Sequence, residues 1–181
     1  LYGNFGGVSP LQGTNELARL IAPSTNTRVR GLDAADNTRD FFLTNIPWDS
    51  YNVDRIDLQR GPNSILFGLG SPAGIINASL EPASLQDSAM YENVYGQFDS
   101  IRHTININRE LVDDLLAVRV AGLLDEEEFQ QEPAFENDER LYGAVRFEPR
   151  LFGPDHGPLV LRGNYEYGNI EANRPRILPP F

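Results

Sequence analysis

The chain has 181 residues, a length suited to one ordinary globular domain or two small ones. Its 26 acidic and 15 basic residues give a net charge of −11, which argues against nucleic acid as a partner because phosphates require a basic face. Cysteine is absent, so disulfides and thiolate metal sites are excluded, and no apolar run reaches the roughly 20 residues of a transmembrane helix.

The first half of the chain, residues 1 to about 82, is rich in Gly, Pro, Asn and Ser, with short apolar runs between them. Leu17–Ile21 is long enough for one or two helical turns. Arg28–Arg30 and Phe41–Leu43 are predicted as short strands because β-formers dominate them. Together with a proline-containing turn at Ile46–Asp49, these segments predict a small mixed α/β globule with long loops.

The stretch Val53–Asn77, VDRIDLQRGPNSILFGLGSPAGIIN, predicts a strand, a tight turn, one helical turn, a glycine-rich bend and a second strand. No Gly-Lys-Ser/Thr follows the glycines and a β-like run comes next, so a phosphate-binding loop is not predicted. The glycines instead predict tight bends and close packing. The turn residues of this stretch are Gly61, Pro62, Gly68, Gly70 and Gly74.

Three aromatic residues of this half, Phe41, Trp48 and Tyr51, are candidates for contact with a bound solute. The same residues could instead form the small core of the globule, and both interpretations stay open. His103 and His156 have no partner at metal-ligand spacing, and no Ser-His-Asp or paired-carboxylate set is present. The sequence therefore predicts no metal site, no cofactor and no enzyme activity.

From about residue 91 the hydrophobic period changes to two, and five up-and-down strands are predicted as far as about residue 169. Three arginines of these strands, Arg119, Arg146 and Arg162, are predicted on one face. The apolar residues predicted on the other face are Ile101, Ile105, Ile107, Leu116, Val118, Val120, Val145 and Leu161.

The predicted connections between these strands are unequal in length. The turns at Asp99-Ser100 and Val112–Asp114 are short, whereas residues 126–139 are strongly acidic and are predicted as a long solvated loop. Tyr165 and Tyr167 are predicted on the apolar face near a strand end. A soluble sheet with one buried face and an outer-membrane β-barrel both produce this alternation, and periodicity alone leaves the two open.

Val53–Asn77 resembles the plug-domain signature of TonB-dependent outer-membrane transporters, in which a strand leads into Arg-Gly-Pro, a small apolar turn, a glycine-rich bend and Gly-x-Ile-Asn. Three later stretches resemble the first barrel strands of that family: Tyr95–Asp99, Asn108–Leu111 and Leu116–Gly122. The resemblance implies a partial plug domain over residues 1–82. It implies that residues 83–181 are the N-terminal portion of a transmembrane β-barrel of about 22 strands, so that the sequence is a fragment.

The resemblance also implies a function and partners. The expected function is active uptake of a bulky, scarce solute (a ferric siderophore, a corrinoid or an oligosaccharide) across the Gram-negative outer membrane, with the plug gating the lumen. The expected partners are TonB, through an N-terminal box absent from this sequence, together with outer-membrane lipid, lipopolysaccharide and the solute. Arg30 and Arg60 are expected to lock the plug to barrel glutamates, and Arg119, Arg146 and Arg162 to face the lumen. The alternative is a soluble β-rich carbohydrate-binding module.

Overall fold

The computed structural model describes residues 8–10, 27–29, 35–44, 46–60, 74–150, 157 and 159–174, with the backbone alone for 8–10, 27–29 and 60. The chain divides into two compact units, Leu1–Leu80 and Glu81–Phe181. Every element in the described ranges is a β-strand, so the predicted mixed α/β character of the first half is not confirmed. The segments predicted as helical, Leu17–Ile21 and Ile65–Phe67, lie outside the described residues. Within these ranges no helical segment has the length and apolarity that crossing a membrane requires.

The described part of the first unit contains two small sheets. The first pairs β1 (Val8–Pro10) antiparallel with β2 (Thr27–Val29). The second has the strand order β4-β3-β6-β5, in which only the β3–β6 pair is parallel. Its strands are β3 (Asp36–Arg39), β4 (Phe42–Leu43), β5 (Val53–Arg60) and β6 (Gly74–Leu80). The two strands predicted within Val53–Asn77 are therefore confirmed.

The core of the first unit lies around β6, the central strand, which is buried from Gly74 to Ala78. Ala35 and Ile76 form its buried cluster, and Trp48 and Leu58 pack against them. Because Gly74–Ala78 is buried on both faces of the sheet, this stretch does not alternate between apolar and polar residues, and Asn77 is its one polar residue. Gly74 begins β6 at a φ of 114°, a conformation that residues with a Cβ rarely adopt.

The turn between β3 and β4 is strained. Asp40 and Phe41 have φ values of 45° and 69°, which suit Asn or Gly in a two-residue hairpin and are unusual for an aromatic residue. The side chain of Asn77 offsets this strain, because its Oδ1 accepts hydrogen bonds from the Phe41 amide at 2.8 Å and from Thr38 Oγ1 at 2.9 Å. Asn77 is fully buried. Its side chain holds the hairpin together with two bonds of Asp40, whose amide donates to the Ala78 carbonyl and whose Oδ1 accepts from the Leu80 amide, both at 3.0 Å.

Replacing Asn77 with alanine is expected to destabilise the first unit by about 2–4 kcal/mol, since two donors lose their acceptor at a buried position. The measurement is limited proteolysis of the full-length protein, with cleavage within residues 35–80 followed by mass spectrometry. Ser79→Ala is the matched control, because it removes only a 3.3 Å contact with Asn77. Equal protease resistance of Asn77→Ala and the unaltered protein would contradict the assigned role of Asn77.

The second unit contains one five-stranded antiparallel sheet in which each strand pairs with the next along the chain. This order confirms the predicted up-and-down strands. At the first turn, Phe98 and Asp99 both have positive φ, 57° and 61°, as two-residue hairpins require. The strands are β7 (Ser88–Tyr95), β8 (Ile101–Val112), β9 (Leu116–Glu128), β10 (Phe135–Phe147) and β11 (Leu161–Asn173).

The prediction of a long acidic loop over residues 126–139 is wrong. The strand β9 continues to Glu128 and β10 begins at Phe135, so most of the acidic residues lie within the paired strands. Asp125 and Asp138 stand directly opposite each other, and an arginine accompanies each carboxylate. Arg102 Nη1 lies 2.5 Å from Asp125, and Arg140 Nε donates to Asp138 at 2.7 Å. These ion pairs reduce the repulsion expected between acidic side chains that stand opposite each other on paired strands.

The two tyrosines of β11 also differ from expectation. Tyr165 and Tyr167 lie on the predicted apolar face, but they occupy the middle of a 13-residue strand rather than its end. The strand extends as far as Asn173 because its polar second half pairs with the polar first part of β10. Backbone pairing thus continues beyond the apolar stretch from which the strand was predicted.

Candidate functional site

The two faces of the five-stranded sheet carry different residues. Directly opposite residues of neighbouring strands share a face, so the register assigns every side chain to one side. One such row runs Ile105, Gly122, Leu141 and Tyr167, and the adjacent row runs Asn106, Ala121, Tyr142 and Glu166. The eight apolar residues predicted to share a face all lie with the first row, and Arg119, Arg146 and Arg162 all lie with the second.

The apolar face is exposed. Val120 is 48%, Leu141 58% and Tyr165 74% exposed, and the exposed residues extend across all five strands. Large contiguous apolar patches of this kind mark a surface that contacts lipid or a partner rather than water. The other large exposed residues of this face include Tyr91, Tyr95, Ile105, Ile107, Leu124, Val145, Phe147, Leu161 and Tyr167.

The polar face is the buried one. Asn108 and Tyr142 are 0% exposed, and Arg119 and Arg140 are 9% and 7% exposed. A water-soluble sheet with one packed face buries its apolar residues and exposes its polar ones. In the second unit the large apolar residues of one face are instead exposed. The buried face of β8–β10 carries Thr104, Asn106, Asn108, Arg119 and Arg140 beside the apolar residues Ala117, Ala121, Leu123 and Ala144.

The segment Glu81–Gln86, here called the entry segment, leads from the start of the second unit into β7 and lies against the polar face. Arg119 on β9 donates three hydrogen bonds there. Its Nη1 donates to Glu81 Oε2 at 2.9 Å and to Asn106 Oδ1 at 2.7 Å, and its Nε donates to the carbonyl of Pro82 at 2.9 Å. Asn106 also donates to the same Glu81 oxygen. The guanidinium is therefore paired and hydrogen-bonded as a buried charge must be.

Two further strand residues hold the entry segment through its backbone. Asn108 on β8 donates to the carbonyls of Ser84 and Gln86, both at 2.7 Å, and accepts from the Ser84 amide at 2.9 Å. Tyr142 on β10 donates its hydroxyl to the Glu81 carbonyl at 2.8 Å. Side chains from three successive strands thus converge on six residues of irregular chain.

Arginine–carboxylate pairs continue along the polar face. Arg174 makes a two-pronged contact with Glu136, at 2.7 and 2.8 Å, and Arg146 lies 2.5 Å from Glu148. Bidentate geometry of this kind suits the planar guanidinium better than an ammonium. All 15 basic residues of the chain are arginine, and the described face makes use of that geometry.

Asp87, between the entry segment and β7, accepts from the Glu110 amide at 2.8 Å and from Arg109 Nη1 at 2.5 Å. These two donors hold the pKa of Asp87 below its ordinary value of 3.8. A depressed folded-state pKa stabilises the protein above the unfolded pKa, and this contribution is lost as the pH falls through the folded value.

Asp87→Asn is therefore expected to lower stability at pH 7 and to have a diminishing effect as the pH is lowered below about 4. The measurement is denaturant unfolding of full-length protein in detergent micelles across this pH range. Asp113→Asn, in the exposed turn after β8, is the matched control. A difference between Asp87→Asn and the unaltered protein that grows on acidification would have the wrong sign for this assignment.

Several predicted site residues lie outside the described residues: Arg30, Gly61, Pro62, Gly68 and Gly70. Of Arg60 the backbone is described, and it pairs with Gly74 where β5 and β6 are joined. The locking role of the two arginines and the turn role of the undescribed residues stay predictions. Arg146 is half-buried and Arg162 exposed on the polar face, and their position beside a lumen also stays a prediction.

The three aromatic candidates have different environments. Tyr51 is 5% exposed and Trp48 packs against the Ala35–Ile76 cluster, as the core interpretation expects. Phe41 is 49% exposed at the strained hairpin tip, and of the three it is the one accessible to a solute. Contact of these residues with a ligand stays a prediction.

Four residues of the polar contacts were not singled out from the sequence: Glu81, Asn106, Asn108 and Tyr142. One signal was present, because Thr104, Asn106 and Asn108 form a polar stripe opposite the isoleucines of β8. That stripe shows a polar face but not its partners. In the part of the chain that the structure describes, no group of three or more His, Cys, Asp or Glu residues could hold a metal ion.

Known proteins that this chain resembles in sequence or in structure are receptors. No family model matches the chain. Over 114 residues it is 29% identical to the metal-pseudopaline receptor CntO of Pseudomonas aeruginosa, covering 62% of this chain and 16% of that protein. The FpvA receptor of Pseudomonas aeruginosa, bound to an iron pyoverdine, matches with a TM-score of 0.73 and 16% identity over 91% of this chain and 22% of its own. The alcaligin outer-membrane receptor FauA of Bordetella pertussis matches with a TM-score of 0.70 and 18% identity, covering 91% and 27%.

The chain has the fold of part of a TonB-dependent siderophore receptor, and the resemblance indicated by the sequence is confirmed at that level. The chain spans 16–27% of the length of the three proteins compared. These proteins are receptors of Gram-negative outer membranes, in agreement with the localisation expected from the sequence. None of the three is named as an enzyme, which is compatible with a chain that catalyses no reaction.

Proposed function

We propose that this chain belongs to a TonB-dependent transporter that takes up a metal chelate across the Gram-negative outer membrane. The observation that carries the proposal is the reversed sheet of the second unit, with an exposed apolar face and a buried polar face. Such a distribution is stable where hydrocarbon replaces water outside the sheet. Strands of 12–13 residues, such as β8 to β11, exceed the about 9–11 residues that a tilted strand needs to cross a bilayer.

In this proposal residues 83–181 are the first portion of the barrel and residues 1–82 are part of the plug that gates it. Arg119, Arg146 and Arg162 face the lumen, and Arg30 and Arg60 lock the plug to barrel glutamates outside this chain. TonB supplies energy by pulling on an N-terminal box, also outside this chain. Lipid and lipopolysaccharide cover the apolar face.

The transported solute in this proposal is a ferric siderophore or a related metal chelate. Support comes from the similar proteins, which are receptors for an iron pyoverdine, for alcaligin and for a metal–pseudopaline complex. A corrinoid or an oligosaccharide has no such support. In the first unit, the exposed ring of Phe41 is the group proposed to contact such a chelate.

A soluble carbohydrate-binding module is the competing class. It would fold with the isoleucines and valines of β8 and β9 packed inside. Ile105 is instead 43% and Val120 48% exposed, while Arg119 is buried, so the membrane proposal is the better supported.

The test is uptake by cells that carry the full-length gene. Radioactive iron is supplied as its pyoverdine or alcaligin complex, and a radioactive metal ion as its pseudopaline complex, to a strain without its own receptors. Accumulation of at least one complex, abolished by deleting tonB or by a proton uncoupler, is the expected result. Energy-independent accumulation would overturn the proposal. Failure to accumulate any of the three complexes would overturn it as well.

A further inference from the structure

The entry segment is held far more firmly than an ordinary connection between two compact units. Connecting segments of this kind are usually exposed and make few contacts with their surroundings. Here Ala83 is 1% exposed, and Arg119, Asn106, Asn108 and Tyr142 together bond to Glu81, Pro82, Ser84 and Gln86. The donors come from β8, β9 and β10, so one short stretch is attached to three strands.

We propose that the entry segment is a mechanical anchor: when the first unit is pulled from its N-terminal side, unfolding stops at Leu80 and does not pass into β7. The inference rests on the proposed function, in which TonB exerts such a pull. Its role would be to keep the strand wall intact while the first unit rearranges. An anchor of this kind must resist force at the start of the second unit, where the entry segment is bonded to three strands.

The contacts form two successive tiers along the direction of pull. The first tier holds Glu81 and Pro82 through Arg119, Asn106 and Tyr142, and it includes the charge-assisted Arg119–Glu81 bond. Such bonds are roughly twice as strong as neutral ones. The second tier holds Ser84 and Gln86 through Asn108. The first tier shares the load among side chains of three strands, and in the second tier the one side chain of Asn108 bonds to Ser84 and Gln86 at once.

The test applies the force directly, so its outcome does not depend on uptake, on TonB or on the identity of the solute. Full-length protein in a lipid bilayer is pulled from its N-terminus by an atomic force microscope. For the unaltered protein we expect an arrest of unfolding at the boundary after Leu80. For Arg119→Met/Tyr142→Phe, which leaves only the Asn106 bond of the first tier, the arrest is expected to occur about 10 Å later in contour length, as Glu81–Ala83 is released. For the triple variant Arg119→Met/Tyr142→Phe/Asn108→Ala, which also removes the second tier, the expected shift is about 20 Å.

Two controls keep the result interpretable. Arg162→Met removes an exposed arginine of the same face and is expected to leave the arrest unchanged. Glu81→Gln removes the carboxylate charge but keeps the backbone contacts of Pro82 and Glu81, and it is expected to lower the arrest force with little shift in length. The later force peaks of the barrel strands show whether each variant is folded.

Two results would overturn the anchor. One is the absence of an arrest at Leu80 in the unaltered protein. The other is an arrest at the same contour length in the unaltered protein and in the folded triple variant. Either result would leave the uptake assay of the proposed function unaffected, and failure of that assay would leave the measured arrest unaffected. The two proposals can therefore fail separately.

Discussion

Val120→Arg is expected to destabilise the full-length protein in a lipid bilayer by about 2–4 kcal/mol, the cost of an arginine on the lipid face near mid-height of a barrel. Val120 lies in the centre of the apolar face, opposite Ile107 on β8 and Gly143 on β10. A guanidinium there would have hydrocarbon around it in place of water. The measurement is denaturant-dependent folding of the protein into lipid vesicles.

Met90→Arg is the matched control for this substitution. Met90 on β7 is also apolar and is 56% exposed, but it stands opposite Asn106 and therefore belongs to the polar face. Its replacement is expected to change stability by less than about 0.5 kcal/mol, as at most exposed positions. Equal effects of the two substitutions would show that the faces do not have the different surroundings inferred for them, and would favour a soluble protein.

Arg119→Met is expected to destabilise the second unit by about 2–4 kcal/mol, because it removes the counter-charge of the Glu81 carboxylate and the donor to the Asn106 and Pro82 acceptors. A fully buried pair loses about 3–5 kcal/mol when one partner is removed. The smaller value is expected here because the Glu81 side chain is 29% exposed and water can solvate part of its charge. Unfolding of the full-length protein in detergent micelles measures the loss.

A double-mutant cycle separates the pair from its surroundings. Glu81→Gln alone leaves the arginine without its counter-charge, and Arg119→Met/Glu81→Gln removes both charges together. The double variant is expected to be more stable than the sum of the two single losses predicts, by about 0.5–3 kcal/mol. Strict additivity would mean that the Arg119–Glu81 contact contributes no interaction energy.

The faces of β8 and β9 could be predicted from the sequence because side-chain direction in a strand depends only on position along it. Ile105 and Val120 were assigned correctly without knowledge of their neighbours. The strand ends could not be predicted in this way. The residues Glu126–Glu128 and Phe135–Glu139 carry no apolar alternation, yet the strands pair through them, beside ion pairs that join Asp125, Asp138 and Glu136 to Arg102, Arg140 and Arg174.

The sequence by itself determined the two strands within Val53–Asn77, the five alternating strands and the assignment of side chains to the two faces of the sheet. Each of these follows from local order along the chain. Only the tertiary structure decided which face is buried and which partners meet across it. Arg119 and Glu81 are 38 positions apart and Tyr142 and Glu81 are 61 apart. Their contacts exist because the entry segment lies across three strands, and no short-range pattern encodes that arrangement.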